Sequence, residues 1–424
     1  MSKRVVCMLI TLAFCVSLSA QDNKILQESF LEAEYFFMNG DYTDAASSYH
    51  QLFDKLPENA NISYRLGSCY LNTPGKKNLS IEYLEKATKN MSAKHKEGTV
   101  SQTSAPFDAL FNLGKAYRVN YKFDKAIEAF KKYLNTLLPD DRENIDFINH
   151  EIQTCKMAGE LISKPIEYSE ENLGELFNDE KANFNPLISA DGKSFVYKVT
   201  LKFYDAIMFS RLVQGKWTTP VNISPDLQLD GDLYISCLSA DGKLLFLSIN
   251  DNSNSDIYSS SFNGIIWSKP VLLNKNINTK YWDSNGFISE DGNQFVFASD
   301  RPGGSGGLDL YVSHKVDGDW GPAVNLGTEI NTQFNEDRPF LINKGKTLFF
   351  CSQGHENIGG YDLFRSDLLL NGSWDKPKNL GYPLNTPDDN TFFMPIGDGK
   401  SGYYSVFKST GGFGKEDIYK ITFK

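Results

Sequence analysis

Apolar residues follow two different rhythms along this chain. From Ala105 the sequence reads APFDALFNLGKAYRVNYKFDKAIEAFKKYLNTLLP, with Leu110, Leu113, Gly114 and Tyr117 at helical spacing and Ala126, Phe130 and Tyr133 repeating it. Small Gly114 and Ala126 let two antiparallel helices approach closely, the aromatics fill the seam, and Pro139 closes the unit. An earlier copy carries Ala33, Phe36, Ala45, Tyr49, Leu52 and Pro57. A weaker middle copy carries Leu66, Gly67, Tyr70, Leu84 and Ala87, its turn lengthened around Pro74-Gly75. Three helix pairs are therefore predicted between about residues 26 and 139. Asp141 to Ile162 is expected to cap the last open face, and the polar stretch 91–105 to form an exposed insertion.

Beyond residue 166 the period shortens to that of strands. SADGKSFVY from Ser189, SADGKLLFL from Ser239, SEDGNQFVF from Ser289, NKGKTLFFC from Asn343 and GDGKSGYYS from Gly397 place turn glycines at 192, 242, 292, 345 and 399, spaced 50, 50, 53 and 54 apart. Two further markers keep this period: Asp205, Asp256, Asp309, Asp362 and Asp417, and Trp217, Trp267, Trp320 and Trp374. Each unit parses as four antiparallel strands, the first pair joined by a tight Asp-Gly-type turn. Such units repeated around an axis make a β-propeller. Five units are present, but the fifth ends at ITFK without a last strand. The segment ENLGELFN from Glu171 echoes NLGTEIN from Asn325, so residues 166–177 are predicted to supply the outer strand of the fifth blade and remove two exposed edges.

The helical part, over about residues 26–139, resembles the tetratricopeptide repeat, which implies a concave groove for a peptide or protein. The phrase SDRPGGSGGLDLY from Ser299 and its relatives resemble TolB-type, WD-repeat-like propellers of bacterial envelopes. The two together are similar to the OmpA-family peptidoglycan-anchoring proteins of type IX secretion in Bacteroidota. No OmpA-like domain follows Lys424 in this sequence, so direct peptidoglycan binding is not expected. The fold class is thus α + β multidomain: an N-terminal helical repeat array over 21–164, then a five-bladed β-propeller over 165–424.

The first twenty residues read as an export signal: Lys3 and Arg4, an apolar run from Val5 to Val16, and a small-residue cleavage site before Gln21. Phe14 stands where a lipobox needs a small residue before Cys15, so lipidation is not expected. A formal charge of -10 argues against nucleic acid as a partner. Cys69, Cys155, Cys237 and Cys351 share no metal-like spacing and are read as buried free thiols.

Little in the sequence points to chemistry. Gly303-Gly304-Ser305-Gly306-Gly307 fits G-x-S-x-G, but lies between two strands rather than on the strand-to-helix turn a nucleophile needs. The five histidines show no metal-ligand spacing, and no cofactor or metal is expected. The recurrent aspartates are read as caps for backbone amides of the glycine-rich loops. Long loops gather on one rim, where recognition is expected. The candidate partner-binding residues there are Tyr281, Trp282, Asp283, Arg301, His355 and Phe413. Acidic connectors (Asp230, Asp232, Asp283, Glu336, Asp337, Asp388, Asp389) are expected either to be solvated or to make the channel mouth negative. The functional expectation is a non-enzymatic periplasmic or outer-membrane-associated scaffold, binding envelope proteins through the helical groove and the long-loop face. The alternative is a module that binds a glycan, peptide or cation in the propeller channel.

Overall fold

A computed structural model describes residue 21 and residues 23–424, apart from 229–231 and 252–253. The expected export signal and Cys15 lie outside the described residues. The chain divides into two compact units, one ending at Cys155 and the other beginning at Lys156.

The first unit stacks helices α1 (residues 23–38), α2 (Tyr42–Lys55), α3 (Ala60–Leu71), α4 (Ser80–Ala87), α5 (Asp108–Val119), α6 (Phe123–Leu134) and the start of α7 (Arg142–Ile162). The Asn59 side chain caps α3 by accepting from the amides of Asn61 and Ile62, at 3.0 and 3.1 Å. Close approach within each pair depends on glycine. A Cβ at Gly114 would lie 2.4 Å from the Phe130 ring, and one at Gly67 would lie 2.7 Å from Leu84 Cγ. Polar rungs tie the first helices of successive pairs together. Arg65 on α3 pairs with Glu34 on α1 at 2.8 Å, Asn112 on α5 donates to Ser68 on α3 at 2.9 Å, and Arg118 on α5 pairs with Glu151 on α7 at 2.9 Å. Each buried carboxylate thereby has a cationic partner, which burial requires.

The second unit is built from five antiparallel sheets, each a blade. Their inner strands are Asn183–Ile188, Asp232–Leu238, Asp283–Ile288, Glu336–Ile342 and Met394–Ile396. Each inner strand touches the next, and the fifth touches the first, so the ring is closed. The closing strand is Tyr168–Asn172, antiparallel to Asp417–Phe423, with Tyr168 opposite Phe423 and Asn172 opposite Tyr419. The upstream segment therefore completes the fifth blade and covers the edge that Asp417–Phe423 would otherwise expose.

Aromatic pairs join neighbouring blades around the whole ring. They are Phe209–Trp267, Phe246–Phe295, Phe287–Phe340, Phe349–Phe393 and Phe195–Tyr403, with centroids 5.1–5.8 Å apart. Mostly edge-on or tilted, they supply the large apolar area that holds blades together. Of the repeated tryptophans, Trp267 and Trp320 are buried, while Trp217 and Trp374 are partly buried against the same core. All four described cysteines are free and buried. Burial pushes the Cys69, Cys155 and Cys237 thiols up to about 12.

Candidate interaction surfaces

The propeller's rims differ as the loop lengths imply. Tight turns such as Asp191-Gly192 and Asp317-Gly318 lie at one rim, with glycines at φ 69° and 89°. At that end, residues Ile188, Leu238, Ile288, Ile342 and Ile396, one from each blade, line an apolar axial cavity of about 310 Å³. The opposite rim carries the longer loops and the blade-to-blade connectors.

The recurrent aspartates cap loop amides in three blades. Asp309 accepts from Ser305 N at 2.5 Å, Asp362 from Ile358 N at 2.7 Å and Gly359 N at 3.1 Å, and Asp417 from Phe413 N at 2.6 Å. Blade one departs from this arrangement: Asp205 instead pairs with Lys198 Nζ at 3.1 Å and accepts from Thr200 Oγ1. Its loop is too short to fold back over the carboxylate. The G-x-S-x-G segment is part of the blade-three capped loop. Gly306 lies against the Gln333 backbone, where a Cβ would come within 2.2 Å of the carbonyl carbon.

A second repeated device escaped the sequence reading. Asn178, Asn278, Asn331 and Asn385 each clamp the third strand of their blade. The side-chain oxygen accepts from the amide of Ile418, Ile257, Leu310 or Leu363 at 2.7–2.8 Å, and the side-chain nitrogen donates to the carbonyl of the same residue at 2.8–3.0 Å. In blade one Ser224 Oγ replaces it, accepting from Ile207 N at 2.9 Å. The signal lay in the echo of ENLGELFN and NLGTEIN, whose closing asparagines occupy this position.

Of the candidate partner-binding residues, four form one corner of blade three. Asp283 is wholly buried, accepting from Thr279 N, Thr279 Oγ1 and Ser299 Oγ at 2.6–2.7 Å and pairing with Arg301 Nη2 at 2.7 Å. Arg301 also donates to the carbonyls of Asn276 and Ile277, and lies 4.9 and 5.0 Å from the Phe297 and Tyr311 ring centroids. Expecting these two to face a partner is therefore corrected: a buried carboxylate needs its guanidinium, and the pair is spent on holding the connector. Tyr281 and Trp282 stay half-exposed, with the Trp282 amide fixed to Asp300 Oδ1 at 2.7 Å.

His355 occupies the matching corner of blade four, packed on Phe350 and Phe364 with Nε2 2.9 Å from the Ile330 carbonyl. Burial holds it below the ordinary imidazole range, so it too belongs chiefly to the frame. The carboxylate below it, Glu336, is fully buried and lacks an arginine. It accepts from Thr332 N, Thr332 Oγ1 and Ser352 Oγ, and burial pushes it up to about 7. The expectation of solvated acidic connectors thus fails for Asp283 and Glu336; Asp230 and the Asp232 side chain lie outside the described residues. Phe413 alone of the six is plainly exposed, at 43%. Near it the structure adds a residue the sequence reading passed over: Phe203, 86% exposed, in the short blade-one loop with Tyr204. Both loops flank the connector 179–183, since Lys415 N donates to Lys181 O and Thr200 N to Ala182 O.

In the helical unit, a groove of about 520 Å³ is lined by Leu110, Leu113 and Tyr117 with Lys125 and Lys132 at its margin. The stretch 91–105 is the exposed insertion expected, and it is also pinned to the helices beneath it. It is tied back to α1 and α3, where Gln27 accepts from Val100 N at 3.0 Å, Ala60 N donates to Thr103 O at 2.9 Å, and His95 Nε2 lies 2.9 Å from Asn61 Oδ1. Polar side chains on the underlying helices need these partners once buried.

A helical-repeat array and a closed five-bladed propeller define the class of this chain. Tetratricopeptide-repeat family models match residues 30–93 and 108–136. Among solved structures the chain is similar to TolB from Acinetobacter baumannii, at 18% identity over 68% of this chain and 71% of that one, with a TM-score of 0.36. It is also similar to an α-L-arabinofuranosidase from Lactobacillus brevis, at 14% identity over 59% and 92% of the two chains, with a TM-score of 0.39. The catalytic domain of a Coprinopsis cinerea arabinofuranosidase matches at 11% identity over 61% and 98%, with a TM-score of 0.38. No curated protein matches. The blade count rests on the sheet pairing and the ring of inner strands, not on these likenesses. Among the described residues no cluster of His, Cys, Asp or Glu could hold a metal ion, and no helix is long and apolar enough to cross a membrane.

Proposed function

We propose that the chain is a non-enzymatic scaffold of the bacterial cell envelope, exported to the periplasm and peripherally associated with the outer membrane. One protein partner docks on the helical array and another on the long-loop rim of the propeller. Tetratricopeptide repeats and propellers are protein-interaction modules in general, and the resemblance to type IX secretion anchoring proteins gives envelope assembly, secretion or gliding as the setting. The observation that carries the reading is the exposed aromatic set Phe203, Tyr204 and Phe413, held on a rim whose frame residues are otherwise consumed in capping. Aromatic side chains on a rigid frame are the usual anchors of protein interfaces. The test is affinity purification from crosslinked cells. The full chain should recover specific envelope proteins, and chains lacking either unit should each lose a different subset. Recovery of the same proteins by all three would defeat the proposal.

A further inference from the structure

The inner strands of blades one, three and four each bulge at the same place. Register slips occur between Phe184 and Leu187, Ser284 and Phe287, and Asp337 and Phe340. The residue at each bulge has left-handed backbone: Asn185 at φ 50°, Asn285 at φ 50° and Arg338 at φ 48°. Asparagine tolerates this region, whereas an arginine there is uncommon and strained. The bulge in effect turns the Arg338 side chain into the axis. Its Nη1 donates to Asn185 Oδ1 of blade one at 3.4 Å, and its guanidinium carbon lies 5.9 Å from the Phe392 ring of blade five. Since blade five lies between blades four and one, the side chain reaches across the channel.

Among the described residues the guanidinium makes no other hydrogen bond and forms no ion pair with a carboxylate. Its neighbour Asp337 is already hydrogen-bonded: both carboxylate oxygens accept from Asn285 Nδ2, at 2.9 and 3.0 Å, and one also accepts from the Arg338 amide at 2.8 Å. Burial pushes that carboxyl above its ordinary range, and the neighbouring Arg338 charge opposes the shift. Lys198, the other cation nearby, is already paired with Asp205. Edge-on contacts of Phe287 with Phe340, and of Phe340 with Phe392, place an aromatic layer between this polar end of the channel and the apolar cavity at the opposite rim. A half-buried guanidinium with one long hydrogen bond, beside the Asn185 carboxamide and the Phe392 ring, offers the donor set of a carboxylate pocket, because the planar fork matches two oxygens at once.

We propose that the long-loop end of the propeller channel binds the carboxylate of a small organic acid, with Arg338 as the anion-binding residue, Asn185 as the polar group beside it and Phe392 as the flanking surface. This is an anion site, which sets it apart from a cation in the channel, and it does not depend on the scaffold reading.

The test is calorimetric titration of the full chain with four probes: N-acetylglycine and glucuronate as acids, N-acetylglycinamide and methyl glucoside as their neutral counterparts. At least one acid should bind and its neutral counterpart should bind about tenfold more weakly or not at all. Which acid binds separates a peptide terminus from a sugar acid as the source. Arg338→Gln should weaken the acid by about tenfold or more while leaving the melting temperature near that of the unaltered chain. If that variant does not fold, acid-over-neutral selectivity in the unaltered chain decides alone. Binding of neither acid, equal binding of acid and neutral probe, or undiminished binding by a folded Arg338→Gln chain would overturn the proposal.

Discussion

The matching corners of blades three and four solve one structural problem with different chemistry. In blade three Asp283 is paired with Arg301, which stacks between Phe297 and Tyr311 and reaches the Ile277 carbonyl. In blade four His355 packs edge-on against Phe350 and tilted against Phe364 and reaches the Ile330 carbonyl, while Glu336 below it has only hydroxyl and amide donors. The arginine is therefore dispensable to the geometry of the corner: hydroxyl and amide donors alone hold Glu336 in place. What recurs in the repeat holds the frame. What departs from it, such as Phe203 in the loop that lacks a cap or Arg338 where blades one and three have asparagine, is free for recognition.

The sharpest break is Asp283→Ala. It leaves the Arg301 guanidinium buried without its carboxylate, and should cost about 3 kcal/mol or more of propeller stability in denaturant unfolding. Glu336→Gln tests the other corner. With the folded carboxyl raised to about 7 from an ordinary 4.5, the unfolded chain ionises first, so the native protein loses stability as pH rises from about 4.5 to about 7. The loss should reach about 3 kcal/mol at most, and Glu336→Gln should flatten melting temperature against pH across that window. A wild-type curve already flat there would remove the contrast between the corners.

The asparagine clamp should follow in size. Asn331→Ala strands the amide of Leu310 and takes one of two donors from its carbonyl, which keeps Leu326 N, and should cost about 2 kcal/mol, whereas Ser224→Ala in blade one strands a single amide and should cost about 1 kcal/mol. Urea midpoints at constant slope would measure both. Smallest of all, Phe203→Ser should change stability by no more than about 0.5 kcal/mol, because the ring is exposed.

Much of the fold was legible because it is periodic. The helix pairs, the five blades and a closing strand within residues 166–177, observed at Tyr168–Asn172, all follow from repeated spacing, and the aspartate caps follow from loop composition in blades three to five. The candidate residues fared differently. Asp283 and Arg301 looked available because connectors are usually exposed, yet a connector that carries a cap for the next strand buries its acid. Arg338 was missed because a bulge does not show in a two-residue alternation. Its only trace was the series Asn-Pro, Asn-Gly and Arg-Pro at equivalent places in three repeats. Phe203 leaves no such trace for the converse reason: it lies in an inter-strand loop that departs from the glycine-rich repeat.

The division between frame and recognition is tested most directly by one paired measurement, in which Arg301→Ala and Phe203→Ser chains are each melted and used for crosslinked affinity purification. Arg301→Ala should lower the melting temperature, and at a temperature where it stays folded it should keep its partners. Phe203→Ser should melt like the unaltered chain and lose at least one partner. The reverse outcome, in which Arg301→Ala melts normally and loses partners while Phe203→Ser keeps them all, would contradict that division.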